Sequence, residues 1–115
     1  MKMFVRFAPA IILVSSATVS VPLHAQIILT LGSGFSSPQD VAVDGSGNVF
    51  VADFGHNAVK EILAPAYTTV ITLGSGFSFP FGVAVNGSGN VFVGDYGNNE
   101  VKEILSDIIF RNGFE

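Results

Sequence analysis

Residues 41–63 read VAVDGSGNVFVADFGHNAVKEIL, and this stretch decides the fold. Two short valine-rich runs flank a DGSGN turn, which is the pattern of a β-hairpin. A second turn at residues 54–57 leads into a third run, in which Lys60 and Glu61 indicate a more exposed strand. The stretch therefore predicts three consecutive antiparallel strands.

The same pattern occurs twice in the chain. Residues 30–63 align without gaps on residues 72–105, and eight of the 34 aligned pairs differ, which leaves 26 identical. After a break at Pro65, residues 67–73 predict a fourth strand in the first unit. Four antiparallel strands in about 42 residues is the size of a β-propeller blade. The predicted fold class is all-β, with two four-stranded antiparallel blades.

The first 25 residues read as an export signal that precedes this fold. Lys2 and Arg6 give a positive start, residues 7–23 are apolar or small, and Ala25 marks a candidate cleavage site. A retained N-terminal helix is the alternative. We therefore expect a signal peptide at residues 1–25, an exported protein in the periplasm or outside the cell, and no membrane attachment after cleavage.

Composition excludes several classes of function. The chain has no cysteine, so disulfide frameworks, zinc–thiolate sites and cysteine nucleophiles are ruled out. After residue 25 it carries three basic and nine acidic residues. Nucleic acid is therefore not an expected partner, because no basic surface is available to neutralise phosphates.

Two long segments resemble the repeats of the NHL-repeat β-propeller family. They are PQDVAVDGSGNVFVADFGHNAVKEIL at residues 38–63 and PFGVAVNGSGNVFVGDYGNNEVKEIL at residues 80–105. The second keeps the glycine of the family pattern as Gly82, where the first has Asp40. The resemblance implies two NHL-like blades.

The predicted blades occupy residues 26–67 and 68–110, with a C-terminal tail at residues 111–115. Propellers close with roughly four to eight blades, and about six is common in the family that the chain resembles. Two blades cannot close a ring alone, so the chain is expected to be an incomplete propeller. Association of copies predicts a homo-oligomer, with a homotrimer expected, unless the gene is a shortened or marginally folded relative of a longer propeller.

The outer edge of the second blade has two candidate strands. Residues 108–110 occupy the place that residues 67–73 fill in the first blade, and the N-terminal residues 26–30 are the alternative. The C-terminal residues also resemble short tails of some exported bacterial proteins, which suggests a sorting or attachment signal.

One loop is a candidate surface for partner contact. Phe79 and Phe81 stand where the first unit has Ser37 and Gln39, so the second unit gains apolar loop residues next to Phe77. We predict that Phe77, Phe79 and Phe81 form a partner-contact loop, with packing between blades as the alternative reading, especially for Phe77.

The remaining polar candidates favour structural roles. Asp53 and Asp95 end strands before glycine-containing turns, and Asn57 and Asn99 lie within those turns, so we assign all four to turn structure. His56 is the only histidine after residue 25, and no catalytic group can be assembled around it. No catalytic residue, metal or cofactor is therefore predicted.

Two further patterns also have structural readings. Residues 44–48 resemble a calcium loop only faintly, because no acidic residue closes the loop and Asn86 replaces Asp44 in the second unit. The pairs Lys60–Glu61 and Lys102–Glu103 are predicted to be solvated strand residues, with a charge ladder across the blades as the alternative.

Two classes of function remain after these exclusions. The first is an exported, non-enzymatic binding or structural module whose blade loops contact a protein or a glycan. The alternative is a fragment or subunit of a propeller lyase or lactonase, an activity that the resemblance brings with it. The lack of distinct polar residues in two nearly identical blades favours the first class.

Overall fold

The computed structural model describes residues 25–106, which form two antiparallel sheets. The first sheet contains, in spatial order, β1 (Pro38–Val43), β2 (Val49–Asp53), β3 (Ala58–Ile62) and β4 (Val70–Leu73). The second contains β5 (Pro80–Val85), β6 (Val91–Asp95) and β7 (Glu100–Ile104). The predicted all-β fold with blades of an incomplete propeller is confirmed. Most of the predicted signal peptide, the candidate strand at residues 108–110 and the tail lie outside the described residues.

Each sheet begins with a hairpin that is closed by an Asx turn. The Asp44 Oδ1 atom accepts the N–H groups of Ser46 and Asn48, both at 2.9 Å. Asn86 repeats these bonds in the second sheet at 3.0 Å. Gly47 has φ of 89°, a conformation that favours glycine. Since amide donors occupy the side-chain oxygen that a cation would need, this loop is a turn.

The first sheet extends further along the chain than the repeat boundary at residues 67 and 68. Tyr67 has φ of 59° and its N–H donates to the Leu63 carbonyl at 2.9 Å, so it belongs to a turn. The fourth strand therefore starts at Val70 rather than at residue 67. It pairs with β3, which places Leu73 opposite Val59 in the first sheet.

The two sheets pack face to face and form one core. One face of the first sheet contributes Phe50, Ala52 and Val59. The facing side consists of residues from the second sheet and from the loop before it, all buried: Phe77, Val83, Val91 and Val93. Alternate residues of a strand point to opposite faces, so the valines of β1 and β2 lie on the other side of the first sheet. Each sheet is thus apolar on both faces.

Between residues 25 and 106 the helical segments are two short 3-10 turns, at Phe54–His56 and Tyr96–Asn98. This part of the chain contains no helix that is long and apolar enough to cross a membrane. Asn57 and Asn99 end the two turns in the left-handed conformation, with φ of 53° and 55°. Asparagine tolerates this conformation better than most residues, so the predicted turn positions have a clear physical basis.

Close contact between a turn and the preceding loop makes Gly55 sensitive to substitution. Its N–H donates to the Ser36 carbonyl at 2.8 Å, and a Cβ atom at residue 55 would lie 2.7 Å from that oxygen. We expect Gly55→Ala to lower the free energy of unfolding by roughly 2 kcal/mol, measured by urea denaturation at fixed protein concentration. Gly45→Ala is the control, because a Cβ there meets open space, and its effect should stay within about 0.5 kcal/mol. Equal losses in both variants would contradict this account.

Candidate binding site at the loop end of the blades

Four aromatic side chains cluster at the end of the sheets that carries the two 3-10 turns. This aromatic cluster consists of Phe54, Phe79, Phe81 and Tyr96. The Phe54 ring centroid lies 4.9 Å from that of Phe79 and 6.1 Å from that of Phe81. Phe81 in turn lies 6.2 Å from Tyr96. The side chains of Phe79, Phe81 and Tyr96 are 45%, 50% and 68% exposed, so the cluster forms a continuous apolar surface.

Phe77 does not belong to this surface, although the sequence placed it in the same contact loop. It is 8% exposed and packs in the core between the sheets. The Lys102 Nζ atom lies 5.4 Å from its ring centroid. Lys60 stands over Phe35 in the same way, at 5.5 Å. In both units the phenylalanine of the GSGF segment thus lies beside the lysine of the third strand, half-buried in the first unit and buried in the second.

Sequence reasoning missed two members of the cluster, Phe54 and Tyr96. Both directly follow a buried aspartate, and the repeat places an aromatic residue there in each unit. The recurrence of an aromatic residue after the aspartate in both repeats was the sequence signal for these two members. It could not show that the turn carrying Phe54 lies beside the loop carrying Phe79, because the two residues are far apart in the chain.

A hydrogen bond between the sheets holds the cluster in place. The Phe79 N–H donates to the Asn57 Oδ1 atom at 2.8 Å. Phe79 has φ of 51°, so both partners of this bond adopt left-handed backbone conformations. Asn57 therefore does more than complete its own turn, since it also fixes the loop that carries the exposed aromatic ring.

A buried carboxylate lies beneath the turn of the first sheet. Asp53 is fully buried and accepts the Ser36 N–H at 2.7 Å. Its Oδ2 atom lies 2.8 Å from the His56 Nδ1 atom and 2.7 Å from the Lys60 Nζ atom. Lys60 also donates to the Gly34 carbonyl at 2.9 Å. Asp53 thus ties the loop before β1 to the turn after β2, whereas the sequence predicted bonds within its own turn.

The second sheet repeats this arrangement around Asp95. The donors, each 2.7 Å from its carboxylate oxygens, are the Ser78 N–H, the Asn98 side-chain amide and the Lys102 ammonium. The predicted solvated role of the two lysines is wrong, because each ammonium contacts a buried carboxylate and a loop carbonyl. The repeated Asp–Lys spacing of seven residues was the sequence signal for this pairing.

Both carboxylates are held in the ionised form. Burial alone raises the pKa of Asp53, but hydrogen bonds from Lys60, the Ser36 N–H and His56 outweigh it and lower the pKa below its ordinary value. Burial also raises the pKa of Asp95, but hydrogen bonds from Lys102, Asn98 and the Ser78 N–H outweigh it, so this pKa is lowered as well. These groups therefore act as charged tethers at neutral pH.

The described part of the chain holds no cluster of three histidine, cysteine, aspartate or glutamate side chains that could bind a metal ion. The polar groups at the loop end are instead bonded to each other and to loop carbonyls.

The lowered pKa of Asp53 gives a test by acid unfolding. A carboxylate with a lower pKa in the folded chain stabilises the fold above about pH 4, and this stability is lost as the pH falls through the folded value. We expect Asp53→Asn to lower the free energy of unfolding at pH 7 by roughly 2–3 kcal/mol, with the difference from the parent protein shrinking below about pH 4.

Asp44→Asn is the matched control for this experiment. Burial raises the pKa of Asp44, but hydrogen bonds from Asn48, Ser46 and Gly47 outweigh it and lower the pKa, so this carboxylate also contributes above about pH 4. Asn86 accepts the corresponding backbone bonds in the second sheet, so the control should change the free energy of unfolding by less than about 1 kcal/mol, clearly less than Asp53→Asn. A loss for Asp53→Asn that is independent of pH between 7 and 2 would refute the role of its charge.

A comparison with protein families agrees with this geometry. The model of the NHL repeat matches residues 35–62 and 77–104. Each match begins at the phenylalanine of a GSGF segment and continues through three strands of one sheet. No curated protein matches the chain. The two sheets are thus two NHL repeats, and the chain is an NHL-repeat protein.

Proposed function

We propose that this chain is an exported, non-enzymatic binding module that presents the aromatic cluster to a partner. The observation that carries the proposal is the grouping of three half-exposed or exposed rings around Phe54. Single exposed apolar residues are ordinary on protein surfaces, whereas contiguous aromatic patches are typical of contact surfaces. Aromatic residues also supply much of the binding energy of such surfaces.

The chemistry around the cluster favours a protein partner. Among residues 25–106 the basic side chains other than histidine are Lys60 and Lys102, and both are paired with buried aspartates. The acidic side chain of Glu100 is 58% exposed and lines the same hollow as Phe81 and Tyr96, so this surface combines aromatic rings with negative charge. A protein segment with an apolar or aromatic side chain next to basic residues complements it. A neutral glycan that stacks on the rings is the other candidate.

The Asp53 network supports a non-enzymatic role. Aspartate, histidine and lysine side chains in contact can form a catalytic group, but here the carboxylate and ammonium also bond to the loop backbone. In the second sheet Asn98 replaces His56 and still donates to the aspartate. Since an amide serves the same bond in the second sheet, we assign the histidine a hydrogen-bonding role. The lyase or lactonase alternative would need polar groups from further blades.

Binding through the cluster can be tested on the two most accessible rings. We expect the parent protein to bind basic, aromatic-containing peptides on an immobilised peptide array, and Phe81→Ala with Tyr96→Ala to weaken that binding by at least about 30-fold, because exposed aromatic anchors each contribute on the order of 2 kcal/mol. Surface plasmon resonance gives the ratio. His56→Asn is the control, since Asn98 fills that position in the second sheet.

An array of neutral glycans is probed in parallel. Retention of glycans alone, lost in the double variant, would assign the surface to the other partner class. Equal binding by the parent and the double variant on both arrays would refute the proposed surface.

Export is tested by processing of the N-terminus. Intact mass spectrometry of protein recovered outside the cytoplasm should give a chain that begins at Gln26, because the positive start, the apolar stretch and Ala25 fit a cleaved signal. Recovery of protein that still carries Met1 or Lys2 would refute cleavage.

A further inference from the structure

Each sheet has one face that is buried in the chain and one that is open, and the repeat makes these faces equivalent. Val59 is fully buried at the contact between the sheets, whereas its counterpart Val101 is 81% exposed on the open face of the second sheet. Val83 is 7% exposed at the same contact, whereas its counterpart Val41 is 58% exposed on the open face of the first sheet. The open face of the first sheet therefore matches the buried face of the second. The open face of the second sheet matches the buried face of the first except at Gly82 and Gly94, which replace Asp40 and Ala52.

The open face of the first sheet also has the right shape. An apolar hollow there is lined by Leu31, Phe35, Val41, Val49, Val51 and Ile62. The counterparts of these residues in the second unit are Leu73, Phe77, Val83, Val91, Val93 and Ile104, which surround the contact with Phe50 in the shared core. In the second unit the corresponding residues pack against Phe50 of the first sheet, whereas the hollow on the first sheet has no such partner among residues 25–106. Phe92, the counterpart of Phe50, lies on the open face of the second sheet.

The second sheet has a free outer edge among the described residues. Strand β3 pairs with β4, but β7, which corresponds to β3, has no outer neighbour between residues 25 and 106. The counterpart of β4, 42 residues earlier, is the segment ILTL at residues 28–31. This segment forms no strand within its own chain, and the side chains of Ile28 and Leu29 are 93% and 75% exposed. Residues 28–31 thus have the sequence of an outer strand but form none in their own chain, and β7 has an edge at which such a strand can pair.

We infer that a second copy of this chain binds head to tail, with its open first-sheet face on the open second-sheet face of the first copy. Residues 28–31 of the incoming copy then form the fourth strand on β7. The register follows from the pairing of β3 with β4, in which Glu61 lies opposite Ile71 and Lys60 opposite Thr72. It places Leu29 of the incoming copy opposite Glu103. Strand addition to an exposed sheet edge is a common mode of recognition.

A head-to-tail contact leaves one open face at each end, so it either closes into a ring or continues. Propellers close with about four to eight blades, so two, three or four copies can form a ring. Three copies give the six-bladed ring that we expect. The other candidate for the free edge is the chain's own residues 108–110, which the experiments below distinguish.

The first experiment blocks one face at a time. Val101→Asp and Val41→Asp each place a charge on an exposed side chain of the protomer, where it stays hydrated, but bury it in the proposed contact. In analytical ultracentrifugation the parent protein should sediment as a trimer, and each variant as a monomer. A mixture of the two variants retains one intact face of each kind and should form a one-to-one pair. Ser46→Glu, on an exposed hairpin tip, is the charge control and should remain trimeric.

The mixture separates a head-to-tail contact from a symmetric one. Failure of the two monomeric variants to pair at concentrations up to about 100-fold above the parent trimer's dissociation midpoint would overturn the inference. A monomeric parent protein, or a Val101→Asp variant that remains trimeric, would do the same. Filaments of unlimited length would support the head-to-tail contact but overturn the three-copy ring. If the aspartate variants lose β-structure in circular dichroism, Val101→Thr provides the test, because it keeps the side-chain shape and should weaken assembly about 10-fold.

The second experiment tests the donated strand. The chain has no cysteine, so no native thiol competes with an introduced pair. Residues that lie directly opposite in an antiparallel pair have Cα atoms about 4.5–5.5 Å apart, which suits a disulfide. Oxidised Leu29→Cys with Glu103→Cys should run as a covalent three-chain species under denaturing conditions. Ile27→Cys with Glu103→Cys, two residues out of register, should cross-link at least about 10-fold more slowly.

Cross-linking within a single chain would overturn strand donation. A trimer that forms no Leu29–Glu103 cross-link would also overturn it. These variants lie outside the aromatic cluster, so ring assembly and partner binding can fail independently.

Discussion

Burial of one sheet face against the next is the interaction on which the rest of this structure depends. In β2, Phe50 and Ala52 point to one side and Val49 and Val51 to the other, so the sheet is apolar on both faces. A sheet of this kind needs a neighbour on each side, which is the physical reason for stacked blades. In this chain one such contact is made, between the face with Val59 and the face with Val83. Burial of apolar area supplies the attraction but specifies relative position weakly.

The buried aspartates supply the specificity that apolar packing lacks. Asp53 binds a loop N–H from Ser36, 17 residues earlier in the chain, and so fixes where the chain enters the sheet. Asn57 does the same between sheets through the Phe79 N–H. A hydrogen bond has a defined geometry, and leaving a buried partner unpaired is costly, so a shifted arrangement of the sheets is disfavoured. Hydrogen bonds therefore fix the position of the loops at this end, which suits a surface that presents aromatic rings.

Sequence patterns predicted most of the fold, because its elements are local. Alternating residues and glycine-containing turns located β2, β3, β6 and β7, and the 42-residue shift showed that the sheets are equivalent. The start of β4 was misplaced, since nothing in the sequence near Tyr67 reveals its positive φ. The aromatic cluster was only half predicted. Phe79 and Phe81 stood out as apolar additions, but their contact with Phe54 depends on the packing of two sheets, which a one-dimensional pattern does not contain.

The residues that differ between the repeats lie mostly at one end of the sheets. Of the eight differing pairs, only Asp44 and Asn86 lie in the hairpin turns at the opposite end. The other pairs occupy the loop end, where β1 and β5 begin and where β2 and β6 enter the 3-10 turns. On the stacking face that carries Val59 or Val101, the two units differ at two positions: Asp40 corresponds to Gly82, and Ala52 corresponds to Gly94.

This separation allows the two blades to stack alike while their loop ends differ. Within the chain, Phe54 stacks on Phe79 and Asp40 accepts the Val83 N–H at 3.0 Å. In the head-to-tail contact inferred above, Tyr96 would instead face Ser37 of the next copy, and Gly82 offers no carboxylate. Contacts with and without an aromatic stack would then alternate around a ring. Three copies would place three equivalent aromatic clusters about one axis, and a partner with repeated sites would bind such a ring far more tightly than a single chain, because its second contact becomes intramolecular.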